Sequence, residues 1–433
     1  MKSRPCFARV SLAFALCATA SAQTAAPTPS APTAPATPAA PASFGDAVTH
    51  GKISLNARLR YESVQQDALQ DADALTARLR LGYTTALYQG FQAMVEGEAT
   101  APIAGDYYDG TGVNAAPASA TIADPEQYDL NQAWLSYAYD HAKATVGRQR
   151  LVLDNARFVG DVGWRQNQQT FDAVVLQDKS FKKTTLTYVY LNRVNRVFDD
   201  STAQYDWASN SHLFNIANSA CKYGTLTAYG YLLDFDHLAQ AAFNNSSQTY
   251  GLSFAGARPV CDNVKATYRI EAATQSDYGS STLNYRSDYY VAELGAATKA
   301  YALTAGYEVL GSDHGAAGSG FKTPIATLHT FNGWADKFLT TPNAGLTDLY
   351  LRATATLPAD LTAQAQYHKF GTTEAAADIG SEIDLQLAYK FDAHLSFTAK
   401  AAFYTAEETA AVAGSTAAHK DTTKFWLQAE YVY

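Results

Sequence analysis

Four guanidinium groups crowd one polar stretch of this chain, VGRQRLVLDNARFVGDVGWRQNQQTFD, from Val146 to Asp172. They belong to Arg148, Arg150, Arg157 and Arg165, and they share the stretch with Trp164, Gln166, Asn167, Gln168 and Gln169. The planar fork of Arg pairs bidentately with carboxylate, and a neighbouring Trp offers a flat face to a sugar ring. The chemistry implied is recognition of an anionic or sugar ligand without bond making. Neither Gly-x-Ser-x-Gly nor HExxH occurs, so no catalytic residue and no metal site is assigned. The stretch is too polar for a core helix and too rich in Arg, aromatic and amide groups for an idle surface loop. It needs an enclosure with a polar inner wall.

The chain can build one. From residue 51 it alternates with a period of two. In KISLNARLRYE, Ile53, Leu55, Ala57, Leu59 and Tyr61 fall on one face, and Ser54, Asn56, Arg58, Arg60 and Glu62 on the other. LTARLRLGYTTALY sets Leu75, Ala77, Leu79, Leu81 and Tyr83 against Thr76, Arg78 and Arg80. DNVKATYRIEAA sets Val264, Ala266, Tyr268, Ile270 and Ala272 against Lys265, Thr267, Arg269 and Glu271. Similar runs recur to the end of the chain and predict about eighteen strands of roughly ten residues, the length a tilted membrane strand requires. The runs at 170–178 and 211–220 alternate poorly. Short connections at 88–90, 140–142, 357–360 and 391–394 interleave with long ones at 102–127, 193–210, 311–345 and 406–422. That rhythm is the signature of an outer-membrane barrel with short periplasmic turns and long outer loops. The expected fold is therefore all-β: a transmembrane antiparallel β-barrel with in-folded extracellular loops.

Composition agrees. Of 433 residues only 17% are charged and 28 are Tyr, and the mean hydropathy of -0.20 excludes a helical membrane protein. A charge-poor, Tyr-rich chain suits strands that face lipid on one side and water on the other. The net charge of -9 argues against nucleic acid as a partner. Residues 1–22 read as a secretory signal peptide: Lys2, Arg4 and Arg9 precede an apolar run that ends at Ala20-Ser21-Ala22. Residues 23–45 are an Ala/Pro-rich linker expected to be extended and disordered, and 46–433 form the barrel. Cys221 and Cys261 fall near two neighbouring short turns, where a disulfide and two separate thiols are equally compatible with the sequence. The final run, KFWLQAEYVY, puts Phe425, Leu427, Ala429, Tyr431 and Tyr433 on one face. It resembles the signal by which the barrel-assembly machinery recognises its clients.

Three stretches resemble the alginate export family of outer-membrane porins: 146–174, the strand DLNQAWLSY at 129–137, and PIATLHTFNGWADKFLTTPNAGLTDLYL at 324–351. The resemblance implies a monomeric eighteen-stranded barrel in the bacterial outer membrane. It also implies passive, selective passage of an anionic polysaccharide through an Arg-lined constriction. By position it carries over Arg148 in GRQ, Asp154, Asn155 and Arg157 in DNARF, and Trp164, Arg165, Gln166 and Asn167 in WRQN.

Inward parity supplies the rest of the expected lining. Arg58, Arg60, Arg78, Arg80, Arg269 and Arg352 are wall cations, the first four forming a basic sector. Glu96, Glu98, Glu271, Glu293 and Glu308 are wall acids. Asp154 and Asp172 are expected to fix loop Arg residues. Acids such as Asp67, Asp71, Asp106, Asp109, Asp199, Asp200, Glu407 and Glu408 collect in the outer loops, where they would face lipopolysaccharide and its divalent cations. No cofactor is implied. Three other functions share this wall: an uptake porin for small molecules, a barrel enzyme with its residues on an outer face, and a purely structural barrel.

Overall fold

The computed structural model describes residues 41–110, 118–200, 202, 205–235, 244–407 and 417–433. The expected signal peptide, most of the linker and Glu408 lie outside the described residues. The linker's last residues are not extended. Ser43 caps a short helix α1, Phe44–Thr49, by accepting a hydrogen bond from the Asp46 amide at 3.1 Å.

Eighteen strands follow: β1 Lys52–Gln66, β2 Ala72–Thr84, β3 Phe91–Ala104, β4 Gln127–Tyr139, β5 Ala142–Gln149, β6 Thr170–Asp178, β7 Thr184–Asn195, β8 Asp206–Asn218 and β9 Thr225–Leu233. The second half comprises β10 Ser247–Cys261, β11 Val264–Asp277, β12 Arg286–Ala297, β13 Tyr301–Leu310, β14 Leu346–Leu357, β15 Leu361–Gly371, β16 Asp378–Lys390, β17 Leu395–Ala406 and β18 Thr422–Val432. Every strand pairs antiparallel with its sequence neighbours, and β1 pairs with β18, so the sheet closes and has no edge. The closing seam ends in two backbone bonds between Leu55 and Tyr433, of 3.0 and 2.8 Å.

The alternation sorts as expected. Leu59 is 45% exposed on the outer wall while its neighbour Arg60 is fully buried within. The lumen is less polar than the sequence suggested. Leu151, Leu153, Val159, Ile325, Trp334 and Phe338 come from loops and pack with inward Phe171, Val175, Val189, Leu191, Tyr229, Tyr231 and Trp426 of the wall. This explains the poor alternation at 170–178. β6 turns Phe171, Ala173 and Val175 inward to meet loops and Leu176 outward to meet lipid, so both faces are apolar.

Two outer connections enter the barrel, 150–169 between β5 and β6 and 311–345 between β13 and β14. They meet in a short parallel bridge, Val159 with Ile325, flanked by bonds from Gly160 N to Ile325 O at 2.9 Å and from Thr327 N to Ala156 O at 3.0 Å. No disulfide joins Cys221 to Cys261.

Candidate pore and constriction

The basic sector of β1 and β2 grips the first loop. Arg58 Nη1 donates to three successive carbonyls, of Gly163, Trp164 and Arg165, at 3.3, 3.0 and 3.2 Å. Arg60 reaches the Trp164 carbonyl at 2.5 Å and Arg80 the Gln166 carbonyl at 3.2 Å. Acids close by balance these cations, since a buried charge left unpaired is costly. Glu430 bridges Arg58 and Arg78 at 3.0 and 3.1 Å, Asp124 lies 3.5 Å from Arg60, and Glu98 pairs with Arg80. These four residues are the basic sector of wall cations expected from inward parity. Loop carbonyls and acids hold their guanidinium groups, because strands β1 and β2 are where the WRQN segment docks.

The loop's own residues are anchored in the same way. Arg165 lies between Glu62 at 3.1 Å and Asp336 at 2.9 Å, linking wall, first loop and second loop. Arg157 binds Glu308 at 2.8 Å and Asn332 at 3.0 Å. Asn167 donates to the carbonyls of Pro125 and Val197, and Gln166 to Thr76. Trp164 has no free face for a sugar: His329 stacks on it at 4.8 Å, and the Arg60 and Lys400 cations each stand 4.1 Å from its ring centre. Arg150, paired with Asp161 at 2.6 Å, keeps a side chain 54% exposed.

Arg148 and Asp172 do not line the lumen. Both lie on strands rather than in the loop, face each other in register, and share the face of Val146 and Val174. Val146 is 51% exposed on the lipid side. Arg148 there ties Asp172 at 2.8 Å and Asp129 at 3.3 Å at the outer end of the wall. Asp154 meets no Arg; it accepts from Asn215 Nδ2 at 2.7 Å and Tyr231 Oη at 3.5 Å. Glu96 accepts from Asn131 and Gln132, each at 2.8 Å.

The remaining expected lining comes together in one place. Arg269, Glu293, Glu308, Tyr350 and Arg352 border a cavity beneath Thr330, Phe331 and Asn332 of the second loop. Arg269 pairs with Glu271 and lies 4.0 Å from Glu293. Glu293 accepts from Tyr350 Oη at 2.7 Å. Arg352 donates through Nε to Gln366 Oε1 at 2.7 Å and stands 5.5 Å from the Tyr350 ring centre. Among the described residues it has no carboxylate within ion-pair distance.

One group of residues was missed altogether. Lys400 of β17 donates to His329 Nε2 at 2.6 Å, and His329 Nδ1 contacts Asp336 at 2.8 Å. Burial depresses His329 to about 3, so the neutral ring donates from Nδ1 and accepts at Nε2. Lys424 completes the chain at 3.2 Å from Asp336. Inward parity places Lys424, Trp426, Gln428 and Glu430 opposite the aromatic face of the last strand, so that part was legible.

A closed antiparallel barrel of eighteen strands with loops folded into its lumen defines an outer-membrane porin. Solved structures share the fold. Pseudomonas aeruginosa OpdQ superposes with a TM-score of 0.67 at 15% identity over 89% of this chain and 99% of that one. P. aeruginosa OpdK with vanillate gives 0.64 at 12% over 88% and 98%. P. aeruginosa OccK2 (OpdF) in complex with glucuronate gives 0.64 at 14% over 89% and 99%. No curated protein matches by sequence. The chain belongs to the alginate export family, whose description matches residues 50–313. The match includes both the GRQ–DNARF–WRQN stretch and the strand at 129–137, and ends before 324–351. The protein is thus an outer-membrane channel for substrate passage, of a family of transporters rather than enzymes.

Proposed function

We propose that this channel passes carboxylated sugars, uronates or an alginate-like chain of them, and that their carboxylate meets Arg352 beside the small cavity under Thr330–Asn332. The observation that carries this is Arg352. Of the two guanidinium groups bordering this cavity, it is the one held by a neutral amide and an aromatic ring rather than by an acid, so its charge is available to a ligand. A carboxylate can pair with its guanidinium, and the Tyr350 ring beside it suits the apolar face of a sugar. The vanillate and glucuronate held by two porins of the same fold are carboxylates as well.

The test is ion selectivity in a planar bilayer. The wild type is expected to prefer anions, and Arg352→Gln to lower that preference severalfold while the barrel stays folded. Cation preference in the wild type would overturn the reading. The bridge between the two loops favours short substrates within this class. Passage of a diuronate alongside block without passage by a long polyuronate would establish a pore for short sugar acids rather than for the polymer.

A further inference from the structure

The lipid-facing wall has a hollow near its periplasmic rim. Across β4 to β8, register lines up Tyr137, Ala144, Leu176, Tyr188 and Phe214 on the outer face. A second row, nearer the short turns, runs from Tyr139 through Ala142 to Leu186. Aromatic ridges flank the rows: Phe91 packs on Tyr137 at 4.6 Å and Tyr188 on Phe214 at 5.1 Å between ring centres. Between the ridges β5 presents only the methyl groups of Ala142 and Ala144. Aromatic girdles are usual at this height, but a gap floored by two alanines is a local feature. It forms a groove of about 530 Å³ lined almost wholly by apolar surface, within the range of about 300–1,000 Å³ found for ligand sites. Tyr188 directs its hydroxyl to His212 Nδ1 at 2.9 Å, and Asp178, at the lower end, accepts from the Ser180 amide at 2.6 Å. The groove therefore suits hydrocarbon and gives a polar ligand few partners.

Its periplasmic end meets cations. The β6–β7 turn carries Lys179, Lys182 and Lys183. Lys179 follows Asp178 directly, and Lys183 stands three residues, about 10 Å, from Leu186. The Lys179 amide donates to His141 O at 3.0 Å and the Ser219 amide to Lys183 O at 2.9 Å. Three turns therefore abut, and the third adds Lys222. All four Lys side chains are exposed, and none forms an ion pair among the described residues. The acids beside them are Asp140 and Asp178, so positive charge is in excess at the depth of the periplasmic headgroups.

We infer that this groove is a binding site for an anionic phospholipid of the periplasmic leaflet. An acyl chain lies between the two aromatic ridges over Ala142 and Ala144, and the phosphate lies against Lys179, Lys182 and Lys183. A bilayer wets every lipid-facing wall. What the groove adds is residence, because the chain is enclosed on its sides as well as behind and buries more apolar surface than on a smooth wall. The lysines add selection, since exposed cations at the membrane surface attract anionic headgroups. A zwitterionic lipid fills the groove equally well, but its own ammonium offsets the attraction. The site is separate from the lumen and does not depend on what the channel passes.

The test weighs the intact barrel by native mass spectrometry after incubation in detergent with phosphatidylglycerol, or with phosphatidylcholine bearing the same chains. The wild type is expected to retain a single phosphatidylglycerol and to prefer it severalfold over phosphatidylcholine. Ala144→Phe fills the groove and is expected to lower retention of both lipids about tenfold. Lys179→Gln/Lys182→Gln/Lys183→Gln is expected to bring phosphatidylglycerol down to the level of phosphatidylcholine. Ala399→Phe is the control, on the outer face of β17 between Leu387 and Leu427, and is expected to change neither. Heat-modifiable electrophoretic mobility checks that every variant folds. No retained lipid, or retention that Ala144→Phe leaves unchanged or Ala399→Phe lowers equally, would overturn the groove. Equal retention of the two lipids by the wild type, or a preference that survives the lysine substitutions, would overturn the headgroup site. A dimer that Ala144→Phe converts to a monomer would replace the lipid by a second copy of the chain.

Discussion

Arg165 shows how a residue's type can be legible while its task is not. The sequence marks it as an anion-seeking group on a polar loop. Its partners, Glu62 and Asp336, lie 103 and 171 residues away, and nothing local announces them. Arg165→Ala leaves Glu62 buried without its ion-pair partner and Asp336 with Lys424 and His329 alone, at a cost of about 3–5 kcal/mol. It is expected to lower the unfolding midpoint in denaturant and to raise conductance as the loops loosen. His329 carries a second consequence. In a released loop the ring would titrate near its ordinary value of about 6.5, whereas in place it is held to about 3. The released state therefore takes up the proton first, and anchoring is full above about 6.5 and weakens as pH falls toward 3. Conductance is expected to rise on acidification through this window. His329→Gln, which cannot titrate, is expected to flatten that rise.

Elements set the limits of sequence reading differently. Strands with one lipid face and one wet face announce themselves, and β1, β2 and β11 kept their predicted faces residue by residue. β6 did not, because the surface inside it is not water but packed loop. Loops obey no period, so the course of 150–169 could be expected inward only from its composition. Its contact with 311–345 depends on a glycine. A Cβ on Gly160 would lie 2.2 Å from Thr327 Oγ1 and 2.8 Å from the Thr327 amide nitrogen. Gly160→Ala is expected to part the two loops while leaving the eighteen strands intact. Single-channel conductance would increase and circular dichroism would not change.

At the scale of the whole molecule, parity fixes orientation. Short turns lie on one side and the two in-folded loops descend from the other. Cys221, exposed on the β8–β9 turn, is therefore expected to resist a membrane-impermeant maleimide on intact cells and to react once the outer membrane is breached. Labelling on intact cells would invert the topology. The seam between β1 and β18 has one more effect. Glu430, which neutralises Arg58 and Arg78, arrives on the last strand, as do Lys424 and Trp426 beside the second loop. The receptor for both loops is thus incomplete until the cylinder has zipped shut. Closure and plugging belong to a single event of biogenesis, so a newly inserted copy has no finished stage at which it is an unguarded hole in the cell envelope.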